Sequence, residues 1–304
     1  MRDVHVHIRH RGPAGYTRGH FEDIAAAALN AGLDEIYLLE HTHQFTEFEN
    51  IYAPVVAYNN FQRDWIGRKM DGSIERYLEF ISAMKTGGAF EAEGAFGAYN
   101  VTESGGALKV SQSGGALKVA RSGGAPAPRA VKVRFGLEAC YLAETEDRLA
   151  ALLDEYGDDF DFLTGSVHWI GGWGFDFAAQ KEIWLSQGVD AVYRSYYGIM
   201  LGLCESGLFT GLAHPDSIKC FGYAPSCDMS DQYRELAALL AKYGMYAENS
   251  GGLRLNFSPD LELGLNSRLL RILRETGVTI YTASDAHKAA DAGANIRELE
   301  KMLE

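Results

Sequence analysis

The chain has 304 residues, of which 47% are hydrophobic and 23% are charged, and its formal net charge is −13 at pH 7. These proportions are ordinary for a globular protein, and the acidic excess argues against a nucleic-acid partner, because clustered Lys and Arg bind phosphate backbones. No run approaches the ~20 apolar residues of a membrane span, the N-terminus lacks a signal-peptide pattern, and the four cysteines are far apart, so we expect a cytoplasmic chain with free thiols and no membrane partner.

Seven strand-like runs alternate with helix-like runs along the chain. The strand-like runs are DVHVHI, EIYLLEH, VKVRFGLEACYL, FDFLTGSVHWI, LFTGLAHPD, MYAENS and VTIYTASDAH. Several helical patterns end in a glycine that leads directly into the next strand, as at Gly32 and Gly244, and such a glycine is the usual helix stop. This alternation predicts an α/β fold with a parallel sheet. A single closed or nearly closed barrel fits better than the alternative, a doubly wound open sheet.

One segment, at about 86–129, interrupts this alternation with a sequence rich in Gly, Ala and Ser. It contains the repeat SGGALKVSQ at 104–112 and SGGALKVAR at 113–121, followed by SGGA at 122–125. Two and a half short repeats are too few to bury the core of a β-solenoid. We therefore expect a flexible low-complexity insertion within one domain that spans 1–304, and we assign this insertion no chemistry.

Charged and imidazole side chains gather where the predicted strands end. In chain order the ends carry Asp3, His5 and His7; Glu40, His41 and His43; Glu138; His168; His214 and Asp216; Glu248 and Asn249; and Asp285 and His287. The carboxyl ends of barrel strands meet at one rim, and alternate strand residues such as His5 and His7 share a face. We therefore expect these side chains to lie close together.

A cluster of this kind needs a cation among its members. A single histidine at a strand end is more often structural, but many carboxylates and imidazoles crowded together repel or desolvate one another. Neutral imidazole and ionised carboxylate are the ligands that borderline-hard divalent ions prefer, and no cysteine ends a strand in a suitable place. The strand ends together therefore predict a site for divalent metal ions.

The motifs DVHVH, LEH, FGLEACY, GSVHWI, GLAHPD and TASDAH together resemble the PHP superfamily (polymerase and histidinol phosphatase), and within it the histidinol-phosphatase branch. The resemblance covers nearly the whole chain apart from the repeat insertion. It implies a distorted (β/α)7 barrel of the TIM type that binds two or three divalent ions, Zn, Mn or Fe, and hydrolyses phosphomonoesters.

The resemblance also implies a ligand set for three metal positions. The first metal takes His5, His7, Glu138 and Asp285; the second shares Glu138 and adds His168 and His214; the third takes His41 and His287. Family members complete the third position with a glutamate or histidine from the loop after the first strand, which here reads IRHRGPAGYTRGH. His10 is the candidate in this loop and His20 is the reserve, since arginine cannot coordinate a cation.

The expected reaction is the in-line attack of a metal-activated water on phosphorus. Asp285 is the candidate acceptor of the water's proton, and either His214 or His287 protonates the leaving alkoxide. A fixed cation is expected to bind the phosphate oxygens. Family members place an arginine in the stretch that contains Arg194, and Lys219 follows a strand end, although Arg194 can also be read as a solvated helix charge.

Other polar and aromatic residues near the strand ends receive less specific roles. Glu248 is a candidate for orienting a ligand imidazole. His43 is interpreted as structural or substrate-facing. Trp169, Trp173 and Phe175 either wall a pocket for an imidazole-bearing substrate or anchor their loop, and the pattern favours anchors.

The leading hypothesis is a phosphatase that acts on L-histidinol phosphate in histidine biosynthesis. Alternatives are a PHP phosphoesterase acting on a nucleotide or sugar phosphate, an amidohydrolase-like enzyme, and a non-catalytic PHP module. An amidohydrolase usually places a lysine among its metal ligands, and no strand here ends in one. The near-complete ligand set argues against a non-catalytic module, and the oligomeric state stays open.

Overall fold

The computed structural model describes residues 1–9, 15–87, 108–113, 116–121 and 130–304. Seven parallel strands form a barrel within these residues. They are β1 (Arg2–His7), β2 (Glu35–Leu39), β3 (Ala130–Cys140), β4 (Phe162–Ser166), β5 (Gly211–Leu212), β6 (Tyr246–Ser250) and β7 (Ile280–Ala283). The strands neighbour one another in chain order, so the sheet follows the strand–helix alternation predicted from the sequence.

The first and last strands meet and nearly close the barrel. The Asp285 N–H donates to the carbonyl of His5 at 2.9 Å, and the His7 N–H donates to the carbonyl of Ala286 at 2.9 Å. An open doubly wound sheet leaves its outer strands unpaired, whereas here β1 pairs with the segment that follows β7. The prediction of a nearly closed (β/α)7 barrel is confirmed.

Helices connect the strands and cover the outside of the barrel. They are α1 (Arg18–Ala31), α2 (Ala53–Tyr58), α3 (Asn60–Lys69), α4 (Ile74–Thr86), α5 (Glu146–Tyr156), α6 (Lys181–Gln187), α7 (Val189–Glu205), α8 (Ser230–Tyr243), α9 (Gly252–Asn256), α10 (Ser267–Thr276) and α11 (Ile296–Leu303). Helix α10 begins where the Asn266 side chain accepts from the Leu269 N–H at 2.9 Å and ends at Gly277, whose φ is 78°. Such caps satisfy backbone groups that have no partner within the helix. No described helix combines the length and the apolar character that crossing a bilayer requires.

A small cluster of buried strand residues packs inside the barrel. This buried cluster comprises Val4, Tyr37, Leu39, Phe162, Tyr246 and Ala283. Its large rings need glycine opposite them, since a Cβ added at Gly136 would lie 2.4 Å from the Phe162 ring and one at Gly211 would lie 2.1 Å from the Tyr246 ring. The packed interior supports the rim above it, where the strands end.

Two strands of the repeat segment form an antiparallel hairpin beside the start of β3. The first, Leu108–Ser113, and the second, Ala116–Arg121, each lie mostly in one nine-residue repeat. The second strand pairs with β3 through Ala116 and Lys132, at the end of the barrel opposite the strand-end histidines. Much of the insertion predicted at 86–129 lies outside the described residues, and both its flexibility and the single-domain boundary stay predictions.

Candidate metal centre

The carboxyl ends of the strands bring most of the predicted ligands into one cluster. Its members are His5, His7, His41, Glu138, His168, His214, Asp285 and His287. His10 lies outside the described residues. His20, the reserve candidate, lies in the first turn of α1, where its backbone N–H donates to Thr17, and it belongs to none of the groups able to hold an ion among the residues described.

Glu138 stands at the centre of the cluster and is completely buried. Its Oε1 lies 3.1 Å from His168 Nε2 and 3.2 Å from His214 Nε2. Its Oε2 lies 2.8 Å from His41 Nδ1 and 3.2 Å from His5 Nε2, yet this oxygen has no hydrogen-bond partner of suitable geometry among the described residues. A buried carboxylate oxygen that lies among imidazole nitrogen atoms without hydrogen bonds to them fits a donor set for a cation.

The outer nitrogen atoms of several imidazoles are fixed by oxygen atoms. His5 Nδ1 lies 3.0 Å from Glu248 Oε1, His168 Nδ1 lies 3.3 Å from Asp176 Oδ2, and His287 Nδ1 lies 3.1 Å from the carbonyl of Asp285. Since these oxygens accept, each Nδ1 carries the proton of the neutral ring, and each Nε2 presents a lone pair. In these neutral rings Nε2 of His5 and His168 would face the lone pairs of Glu138, so each contact needs either a proton on Nε2 or a bound cation.

Four overlapping sets of three side chains each place their ligand atoms within 4.8 Å of one another. The sets are His5/His7/Asp285, His5/Glu138/His214, His41/Glu138/His168 and His7/His41/His287. Glu138 belongs to two of them, and each of its oxygens lies near one histidine of each set: Oε1 near His168 and His214, and Oε2 near His41 and His5. Imidazole nitrogen and carboxylate oxygen without thiolate suit zinc, manganese and iron, and the donor set therefore fits divalent ions.

The backbone is strained at two strand ends. His214 has a φ of 29° and Asp285 a φ of 56°, both in the left-handed region that residues with a Cβ seldom adopt. Such strain persists where the surroundings hold a side chain in a required position, and it is concentrated at functional sites. Here it directs one imidazole and one carboxylate into the cluster.

Burial and neighbouring charges change the acidity of the cluster. Burial lowers the pKa of His41 to about 4 and that of His287 to about 3. Burial also opposes charge on His7, but hydrogen bonding with Asp285 and Glu40 outweighs it and raises the pKa of His7 to about 9. For Glu138 burial favours the neutral acid, yet the neighbouring imidazoles, those of His41 and His5 foremost, hold its pKa well below the usual value. The central carboxylate is therefore ionised, as a metal ligand must be.

Two carboxylates outside the cluster hold its imidazoles in place. Glu248 contacts His5 and also accepts from the backbone N–H of His214 at 3.0 Å. Asp176, which the sequence interpretation missed, contacts His168. It lies just beyond a hairpin of Trp169–Ile170 and Trp173–Gly174. The Gly-Gly turn of this hairpin was the signal in the sequence, because it folds the chain back toward His168.

A cleft of about 1010 Å³ opens beside the cluster. Its walls include the cations Arg9, Arg68 and Lys69, the aromatic side chains Trp65, Trp169 and Phe177, and His43. Arg9 is fixed, since its guanidinium donates to Gln44 Oε1 at 2.8 Å and pairs with Asp71 at 2.7 Å. The strand-end pattern assigns these cations no role, because they lie beyond the strand ends.

The two cations predicted to bind substrate are placed elsewhere. Arg194 is half exposed on α7, 3.9 Å from Asp190 of the same helix, and it does not line the cleft. The Lys219 ammonium lies 2.7 Å from each of Asp216 Oδ2, Glu262 Oε2 and the carbonyl of Gly264, so its donors are already engaged. The structure thus brings neither of them to the cluster.

The aromatic residues after His168 are almost completely buried. Trp169, Trp173 and Phe175 are each 1% exposed, which agrees with the interpretation as anchors, and Trp169 also reaches the cleft wall. His43 stacks on His41 with ring centroids 4.4 Å apart and lines the same cleft. All four cysteines are free thiols.

The sequence matches the PHP domain family model over residues 3–250. A Deinococcus radiodurans protein named a probable histidinol-phosphatase is 33% identical over 177 residues, which cover 56% of this chain and 64% of that protein. The histidinol-phosphatase of Bacillus subtilis is 28% identical over 185 residues, which cover 54% of this chain and 66% of that protein. The chain thus spans just under two thirds of the length of these curated relatives.

Two solved structures share the fold. A candidate histidinol phosphatase from Listeria monocytogenes superposes with a TM-score of 0.67 at 17% identity, covering 98% of this chain and 99% of that one. Histidinol phosphate phosphatase from Lactococcus lactis, solved with Zn, L-histidinol and phosphate, gives a TM-score of 0.60 at 17% identity, covering 99% of this chain and 93% of that one. With the family match and the barrel rim described above, they confirm the resemblance drawn from the strand-end motifs: the chain belongs to the PHP domain family.

Proposed function

We propose that this protein is a metal-dependent phosphomonoester hydrolase whose substrate is L-histidinol phosphate. The observation that carries the proposal is the buried Glu138 carboxylate, which is surrounded by imidazole nitrogen atoms and has an oxygen without a hydrogen bond. The curated relatives are named histidinol-phosphatases, and the Lactococcus lactis structure contains Zn, L-histidinol and phosphate. The small phosphorylated substrate, the cytoplasmic location and the absence of membrane and nucleic-acid partners are part of the same proposal.

Two or three divalent ions, zinc, manganese or iron, would be held by the clustered side chains. His5, His7 and Asp285 form one position, and His41, Glu138 and His168 form another. His5, Glu138 and His214 share ligands with both, and His7, His41 and His287 form the position that His10 was expected to complete. When bound, the ions would polarise the phosphoryl oxygens and lower the pKa of a coordinated water toward neutrality.

The chain's own residues bind and orient the substrate and move protons. Asp285 accepts the proton of the attacking water at its carboxylate. His214 or His287 gives a proton to the leaving alkoxide, which departs as the alcohol, and the first of these has a buried Nδ1 without a hydrogen-bond partner in the described structure. Because the chain carries a net charge of −13, a phosphate dianion needs local cations. Arg9 supplies a fixed guanidinium on the cleft wall, and Arg68 and Lys69 add positive charge to the same wall.

The deciding experiment measures phosphate release by the purified chain from L-histidinol phosphate, a nucleoside monophosphate and a sugar phosphate, with defined Mn, Zn or Fe content. We expect the highest kcat/KM for L-histidinol phosphate and less than one tenth of it for the others. A higher kcat/KM for the nucleoside monophosphate or the sugar phosphate would support a phosphomonoester hydrolase but contradict L-histidinol phosphate as its substrate. Hydrolysis of an amide with no phosphate release would favour an amidohydrolase, and inactivity toward all substrates at full metal content would favour a non-catalytic module.

A further inference from the structure

A short helix that follows β6 lies directly against Asp285. Helix α9 ends at Asn256, whose side-chain amide donates to the Asp285 carbonyl at 2.9 Å and to Asp285 Oδ2 at 3.2 Å. At the start of the same helix a Cβ added to Gly252 would lie 2.2 Å from Asp285 Oδ2. Both ends of α9 therefore contact one residue of the cluster.

These contacts divide the Asp285 carboxylate between two environments. Its Oδ1 lies 3.5 Å from His7 Nε2 and 3.7 Å from His5 Nε2, so this oxygen faces the cluster. Its Oδ2 faces the amide of Asn256 and the backbone of Gly252. An amide donor occupies a lone pair of Oδ2 and opposes rotation of the carboxylate, which leaves Oδ1 directed at the histidines.

Asn256 is itself an exposed residue on the wall of the cleft. It is not needed to fill the core, and its side-chain hydrogen bonds in the described structure go to Asp285. The backbone of Asp285 is in the left-handed region, with a φ of 56°, so the residue needs support to keep its position. An exposed amide whose described hydrogen bonds both go to one strained acidic residue has a more specific task than solubility.

We propose that Asn256 is a positioning residue that holds Asp285 with Oδ1 toward the cluster, and that Gly252 provides the space for this arrangement. The inference rests on the proposed function in that Asp285 serves as ligand and proton acceptor. A purely structural role would make Asn256 a determinant of stability, whereas the positioning role makes it a determinant of ion affinity and of kcat.

The test compares Asn256→Ala, Asn256→Asp and Asn256→Gln with Asn50→Asp, an exposed asparagine on another surface that undergoes the same charge change. Calorimetry measures the affinity of each metal-stripped protein for Mn²⁺ alone, and steady-state kinetics with L-histidinol phosphate measures kcat and KM. We expect Asn256→Ala to lose about 10-fold and Asn256→Asp about 100-fold in Mn²⁺ affinity and in kcat, the range for removing a group that orients a ligand. KM and melting temperature should stay near those of the parent, Asn256→Gln should recover part of both losses, and Asn50→Asp should change neither.

A separate pair of variants, at Gly252 and Gly198, tests the space around Asp285 rather than the Asn256 amide. Gly252→Ala should push the carboxylate away and lower Mn²⁺ affinity, whereas Gly198→Ala, which meets nothing within 4 Å on α7, should leave it unchanged. Parent-like Mn²⁺ affinity in both Asn256→Ala and Asn256→Asp would overturn the inference. This holds even if the melting temperature of these variants falls. If the parent hydrolyses no phosphate ester, the proposed function fails, while the Mn²⁺ titrations still decide the role of Asn256.

Discussion

A glutamate is buried at each end of the barrel, and the two glutamates have different neighbours. At the end where the strands begin, Glu35 of β2 accepts from Arg2 and from Arg134 at 2.7 Å each, and Lys132 lies 3.2 Å away. At the opposite end Glu138 pairs, among the described residues, with histidines only. One carboxylate is neutralised by cations of its own chain, and the other is surrounded by groups that are neutral when they bind metal.

This difference separates a structural acid from a functional one. Arginine and lysine are permanent partners that hold a carboxylate in place without leaving room for another ion. Histidines at the same distances leave the charge to be balanced by whatever binds. The comparison teaches that the identity of the neighbours, more than the burial of the acid, indicates where a metal belongs.

The sharpest way to break the comparison is the same substitution at both ends. Glu138→Gln should lower kcat/KM for L-histidinol phosphate by at least about 10³-fold and reduce the bound metal, because it removes the charge that holds the ions. Glu35→Gln should keep both near the parent values. Elemental analysis and phosphate release check the pair, and equal losses in the two variants would show that burial alone sets the effect.

Removing the metal from the parent tests the same end without a mutation. Chelation should abolish phosphate release, and one divalent ion should restore it. The melting temperature should rise when metal is returned, since a ligand that binds only the folded state stabilises it by about 2.7 kcal/mol at 100 times its Kd. Full activity in protein that elemental analysis finds free of metal would contradict the mechanism.

A third comparison tests whether Arg9 or Arg194 binds the phosphate of the substrate. Arg9→Ala should reduce kcat/KM by about 30-fold or more, as expected when a charged partner of the substrate is lost, and Arg9→Lys should recover part of this. Arg194→Ala is the matched control and should stay within about twofold, since its side chain is half exposed on α7. The reverse order of losses would favour the assignment of Arg194 made from the sequence.

The stability that Glu35 contributes at the end where the strands begin should depend on pH. Burial alone would raise the pKa of Glu35, but the hydrogen bonds from Arg134 and Lys132 outweigh it and lower the pKa below the usual 4.5. A carboxylate with a lowered folded-state pKa adds stability above its unfolded pKa and loses it as the pH falls. Glu35→Gln should therefore cost about 1 kcal/mol, or about 2–4 °C, at pH 7. The gap between parent and variant melting temperatures should shrink below pH 4.5, and a constant gap would contradict the assignment.

The sequence predicted the rim well because strand geometry is regular. The alternation of residues along β1 places His5 and His7 on one face, and parallel strands end together, so Glu138 and Asp285 meet them. The cations of the cleft were missed because Arg9 and Lys69 lie in a loop and a helix between strands, where no such regularity applies. Arg194 follows the buried Tyr193 on α7, and the 100° turn per residue directs it to solvent.

The smallest effect is expected from the repeat segment, and it tests whether the Glu35 end is purely structural. The hairpin pairs with the start of β3 through Ala116 and Lys132, so its two described strands lie at the end that carries Glu35. Deleting residues 87–128 and joining the ends with a short linker removes this backbone pairing, and the described part of the deleted segment supplies no member of the metal cluster. Because the cost of closing a loop changes slowly with its length, the deletion should lower the melting temperature by only a few degrees. Phosphate release and metal content should stay within about twofold of the parent, as for a change remote from the site. A variant that folds with parent-like stability but has lost activity would mean that the segment reaches the cleft, and the two ends would then not be independent.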